Sequence, residues 1–91
     1  MSRKKRQGIS WGIVLKQMRI DAGLNQADIA KALYEGNPQH EKGNVSLIER
    51  NKISITEDKI RLWIKTCGKD MSEFYIRATS LEASELLKKS L

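Results

Sequence analysis

Gly23 and Asn25 stand two residues apart, and together they require one helix to stop and another to start at once. Glycine adopts the left-handed conformation of a residue just past a helix end without a steric penalty. Asn25 is placed to accept a backbone N–H as an N-cap, and Asp28, three residues on, completes a pattern like a capping box. Upstream, Trp11, Leu15, Met18 and Ala22 fall at i, i+4, i+7 and i+11, which makes one apolar stripe. Ser10 is the expected N-cap of that first helix. Downstream, Ile29, Ala30 and Leu33 supply the apolar face of a second helix, ending near Tyr34, Glu35 and Gly36. The corner between the two helices is therefore tight.

The remaining chain reads as further helices. Asn37-Pro38 marks a turn, because proline biases the residue before it away from helix. A third helix must contain Val45-Ser46-Leu47-Ile48-Glu49. It either starts at Pro38 under an Asn37 cap, with Gly43 inside it, or starts near Glu41. After a break at Asn51-Lys52, Thr56 caps a fourth helix with Glu57 and Asp58 in its first turn, where carboxylates are favourable. Ile60, Trp63, Ile64 and Cys67 form its inner face, and Gly68 ends it. Asp70 is expected to cap a short fifth helix built on Met71 and Phe74, and Ser80 to open a final segment. The expected class is all-α: a compact five-helix domain over residues 10–78, a short additional C-terminal helix in 79–91, and a disordered basic arm in 1–9.

Charge is distributed unevenly along this sequence. Residues 1–20 hold Arg3, Lys4, Lys5, Arg6, Lys16 and Arg19 with no acid, which already equals the whole net charge of +6. The rest of the chain is balanced, mildly basic in the middle and slightly acidic at the end. Such a distribution suits a protein that turns one face to a polyanion, although Arg3 to Arg6 also reads as a solvated tail. A single cysteine, Cys67, excludes an internal disulfide and fits a reducing cytoplasm, the expected compartment. The apolar run Ile9 to Leu15 is interrupted by Lys16 and Arg19 and lacks a small-residue cleavage site, so export is not expected. No run approaches the length of a membrane span.

Three segments carry a family resemblance. Arg19-Ile-Asp-Ala-Gly23-Leu24-Asn25-Gln26-Ala27-Asp28-Ile29-Ala30 looks like R-x-x-x-G-L-(S/T/N)-Q-x-x-(L/I)-A. Val45-Ser46-Leu47-Ile48-Glu49-Arg50-Asn51-Lys52 is similar to (I/V)-S-x-(I/L)-E-x-G-K, and Cys67 to Phe74 to L-G-V-S-L-D-E-L. These are motifs of the lambdoid-phage repressor and Cro (XRE-like) helix-turn-helix class, and the resemblance spans about residues 11–76. It implies a DNA-binding transcriptional regulator whose third helix reads the major groove. It implies that Gln26 packs its amide on a DNA phosphate, helped by the backbone N–H groups behind Asn25. It also implies that Arg19 and Glu49 form an architectural salt bridge, and that Lys52 lies near the backbone after the third helix. The sequence departs from the class at an insertion near residues 35–39, at Asn51 where glycine is usual, and at Lys69 where an apolar residue is usual.

The candidate reading residues follow from groove chemistry. Lys42 can donate to guanine or phosphate, and Asn44 can make a bidentate contact to adenine. Gln39 and His40 either do the same or decorate a longer loop. With no second histidine, His40 is no metal site. Gly43 either permits close backbone approach or accommodates a helix start. Ser46 and Leu47, between buried Val45 and Ile48, face outward or edgewise. One such domain offers few base contacts, so a homodimer on a palindromic operator is expected. Tyr75, Ile76, Leu81, Leu86, Leu87 and Leu91 are candidates for the seam, or else pad the monomer core.

No catalytic constellation is visible: no Cys/His or Ser/His/Asp set, no phosphate loop, no metal spacing and no convincing carboxylate pair. No cofactor is expected. The rival reading is a protein-interaction module, such as an antitoxin or co-regulator, on the same fold. Structured RNA is a poorer match because no aromatic platform is evident. If the basic arm follows the duplex, deleting residues 1–7 should flatten the dependence of log K on log[salt]. An unchanged slope would remove the arm from binding.

Overall fold

Five helices account for the regular structure: α1 (Lys4–Asp21), α2 (Gln26–Leu33), α3 (Pro38–Glu49), α4 (Glu57–Thr66) and α5 (Met71–Ser90). The computed structural model describes the backbone of residues 4–90 and the side chains of residues 11–80, and no strand occurs among them. Arg3 and Leu91 lie outside the described residues, as do the side chains of Lys4, Lys5, Arg6, Leu81, Leu86 and Leu87.

Helix starts follow the capping residues. Asn25 Oδ1 accepts from Asp28 N–H at 2.9 Å, and Asp28 Oδ2 accepts from Asn25 N–H at 2.9 Å, which closes a reciprocal capping box on α2. Asn37 Oδ1 accepts from Gln39 N–H with Pro38 at the first helical position. Thr56 Oγ1 accepts from Lys59 N–H at the start of α4. Three helices also end alike, on a residue with positive φ: Gly23 (75°) after α1, Asn51 (59°) after α3 and Gly68 (77°) after α4. In each, the N–H of the following residue reaches back five positions: Leu24 to Arg19 O, Lys52 to Leu47 O and Lys69 to Ile64 O. This satisfies carbonyls that the helix end would leave open. Asparagine tolerates the left-handed region, so Asn51 fills the glycine role.

The core collects one face from each helix. Val14, Leu15 and Met18 of α1 meet Ile29 and Ala30 of α2, Val45 and Ile48 of α3, Trp63 and Ile64 of α4, and Phe74 of α5, all essentially inaccessible to solvent. Trp63 is fully buried, and its indole N–H donates to Leu15 O at 3.0 Å, so the ring's one polar atom is satisfied. Trp11 meets Phe74 edge to face at 5.9 Å. Arg77 of α5 donates to Asp21 at 2.8 Å and Glu73 at 2.7 Å, clipping α5 to the end of α1. Burial pushes the Cys67 thiol above its ordinary range despite the opposing influence of Arg19 and Arg77.

Two expectations need correction. α1 begins at Lys4 instead of Ser10. Lysine, arginine and glutamine are good helix formers, and no proline interrupts them. α5 runs unbroken through Ser80, so the short fifth helix and the terminal segment are one 20-residue element. A serine starts a helix only where something has ended the previous one, and neither glycine nor proline lies between Met71 and Ser90.

Gly12 is where α1 touches the end of α3. A Cβ there would lie 2.3 Å from Ile48 O and 2.6 Å from Asn51 Oδ1. Gly12 N–H also donates to Asn51 Oδ1 at 3.1 Å. Gly12→Ala should therefore destabilise the fold by about 2 kcal/mol through forced separation of backbones, despite alanine's better helix propensity. Urea denaturation checks this, and a neutral or stabilising result would contradict the packing.

Candidate nucleic-acid interface

α2 and α3 are joined by Tyr34, Glu35, Gly36 and Asn37, and they form the most extensive helix pair among the described residues. The four-residue turn is short because Tyr34 closes α2, its N–H donating to Ala30 O, while Asn37 already caps α3. Lys59 lies over the Tyr34 ring at 5.3 Å, and burial together with the Glu41 charge holds the Tyr34 hydroxyl above its ordinary range. Residues 35–37 thus lie in the turn, and Pro38 and Gln39 open α3. Gln39 and His40 belong to its first turn and not to a loop.

The inner face of α3 is set by Val45, Ile48 and Glu49, all buried. Glu49 is 4% exposed yet carries a full set of donors. Its Oε2 accepts from Arg19 Nε at 2.5 Å, and its Oε1 accepts from Arg19 Nη2 at 3.2 Å and Gln26 Nε2 at 3.0 Å. Arg19 Nη1 donates onward to Leu24 O at 2.9 Å, in the corner between α1 and α2. A two-pronged guanidinium on a carboxylate fixes orientation as well as distance. This ion pair therefore locks α3 against α1 and aligns Gln26 with both.

Gln26 was expected to face a phosphate. One of its two amide hydrogens instead binds Glu49, leaving the second to offer outward. The exposed Asp28 carboxylate also sits in the first turn of α2, where it offsets part of the positive potential of that helix end. Asn44 is half-buried, and its amide donates to Glu41 Oε1 at 2.8 Å. It stands at the margin of α3 with one of its two amide hydrogens engaged, and its second hydrogen and its carbonyl remain for other partners.

What remains outward on α3 is a continuous surface. Gln39, His40, Lys42 and Gly43 are exposed, with Ser46 and Leu47 half-buried beside them. Arg50 and Lys52 are exposed at the end of the same helix, Arg50 with its Nε near Ser46 O at 3.4 Å. Arg50 was not among the candidate contact residues drawn from the sequence. It lies three residues beyond Leu47 and seven beyond Gly43, a spacing that places all three on one helical face. Both acids of α3 are engaged away from this surface, Glu49 by Arg19 and Gln26 and Glu41 by Asn44.

On α5, Tyr75 and Ile76 are 51% and 64% exposed, so these two do not pad the monomer core. Among the described residues, no cluster of three or more His, Cys, Asp or Glu could hold a metal ion, and no helix is long and apolar enough to cross a membrane. No protein-family model, curated protein or solved structure matches the chain. Function must be read from the residues and their geometry.

Removing the Glu49 carboxylate would leave Arg19, only 11% exposed, without its anion. Glu49→Ala should cost about 3–5 kcal/mol, the range for a broken buried pair. The midpoint of urea unfolding measures it, and a loss under 1 kcal/mol would show that the network does not organise the fold.

Proposed function

We propose that this chain is a sequence-specific double-stranded DNA-binding regulator of transcription, with α2, the turn and α3 acting as a helix-turn-helix unit. The observation that carries this reading is the carboxylate-free outer surface of α3. A helix entering the major groove passes between two phosphate ribbons, and any outward acid would oppose it. Here Lys42, Arg50 and Lys52 project while Glu41 and Glu49 are held elsewhere. The neutral donors and acceptors of Gln39, His40 and Ser46 complete a surface suited to base edges and phosphates.

Each part then has a role. Arg19 and Glu49 hold the reading helix at a fixed angle. Gln26, steadied by Glu49, offers its remaining amide hydrogen to a phosphate at the groove margin. Lys42 donates to guanine or phosphate from the front half of α3, while Arg50 and Lys52 hold the backbone at its end. The balance of the chain serves as a rigid scaffold. Repression follows from excluding polymerase at an operator in the cytoplasm, where a lone reduced Cys67 is at home.

A homodimer supplies the second set of contacts that operator-level discrimination requires. Tyr75 and Ile76 are the described part of its seam. In support, Tyr75 and Ile76 are the adjacent exposed large apolar side chains of α5, at 51% and 64%.

Two outcomes check this reading. The Gln26→Ala/Lys42→Ala double variant should stay folded and lose at least about tenfold in duplex affinity, the scale of one or two groove contacts. Undiminished affinity in a folded double variant removes α3 as the reading element. Ile76→Glu should sediment as a monomer with an unchanged circular dichroism spectrum, and a persistent dimer would place the seam elsewhere.

A further inference from the structure

Among the glycines whose surroundings are described, three have a reason within the chain. Gly12 lies against the carbonyl of Ile48, and Gly23 and Gly68 have positive φ. Gly36 lies in the turn outside any helix, where a Cβ would meet only the flexible side chain of Glu41, at 3.0 Å, and glycine carries no helix penalty. Gly43 has no such reason. It is helical, in the middle of α3, and a Cβ added there would meet nothing within 4 Å. Glycine inside a helix is less stable than alanine because it has more backbone freedom to lose. The fold therefore tolerates a penalty at Gly43 that it gains nothing from internally.

Its position suggests what lies outside. Gly43 is two residues from buried Val45, about 200° around the helix, so it faces outward. One turn to either side stand Gln39 and Leu47, and the missing side chain leaves a notch between them. Inside a helix, the glycine N–H and C=O are turned along the axis, and the notch offers only a CH2 group. Such a surface complements an apolar projection and cannot hydrogen-bond a polar base edge. In the major groove the apolar projection is the C5-methyl group of thymine.

We propose that Gly43 and the flanking Leu47 side chain form a seat for one thymine methyl group per half-site, making Gly43 a determinant of operator sequence. This rests on the DNA-binding reading above and adds a base preference to it.

The test uses the duplex most enriched by the full-length protein from a random pool, with each thymine replaced singly by deoxyuridine. The wild type should lose about fourfold at one thymine per half-site, the effect of exposing one methyl group. Gly43→Ala, with a thermal midpoint equal to or above the wild type, should weaken binding to the thymine duplex by tenfold or more. It should bind the corresponding deoxyuridine duplex better than the thymine one, because the new methyl group fills the same space. Indifference of the wild type to every replacement overturns the seat, as does an equal loss by Gly43→Ala on both duplexes. Specific binding persists in both of those cases. Failure of the wild type to enrich any duplex instead sinks the DNA-binding reading, and the seat with it.

Discussion

A buried carboxylate holds this molecule in register. Glu49 is nearly inaccessible to water, and an isolated carboxylate in that setting would cost several kcal/mol. It is tolerable because three hydrogen bonds from Arg19 and Gln26 converge on its two oxygens. Those donors come from different helices. Arg19 belongs to α1, Gln26 opens α2, Glu49 closes α3, and Arg19 also binds Leu24 O in the corner between the first two. One charged cluster thus couples the orientation of three helices, something apolar contacts alone, being non-directional, specify less sharply. Whatever the outer surface of α3 touches is presented at an angle set by this cluster.

Helix ends supply the other half of the rigidity. α1, α3 and α4 all stop on a left-handed residue, and the last turn of α3 is additionally pressed against Gly12. Asn51 serves twice there. Its backbone takes the positive φ that ends α3, and its side chain accepts the Gly12 N–H. A glycine there could supply the first but not the second, so Asn51 adds a contact between α3 and α1.

Much of this was legible in the sequence because the signals were local. The Gly23–Asn25 corner, the Thr56 cap and the apolar face of α4 each depend on residues within a few positions of one another. The pairing of residues 19 and 49 was accessible only through a resemblance, since no spacing rule brings together side chains thirty positions apart. The failures were also local in origin. Ser10 and Ser80 were read as starts, although nothing upstream of either ends a helix, and α1 and α5 run through them. The Asn44–Glu41 bond, between side chains three residues apart on the same helix, also went unread, and it engages one of the two amide hydrogens of Asn44. Arg50 escaped notice because it follows the buried Glu49 directly, and only the helical angle reveals that it points the other way.

The outward surface of α3 then has a simple character: cations, neutral polar groups and one bare glycine, with its acids engaged elsewhere. Selection of duplexes from a random pool by the purified full-length protein tests this most directly. The account predicts an enriched consensus of two inverted half-sites whose centres lie about one helical turn, roughly 34 Å, apart. A pool that emerges with no sequence preference would contradict it.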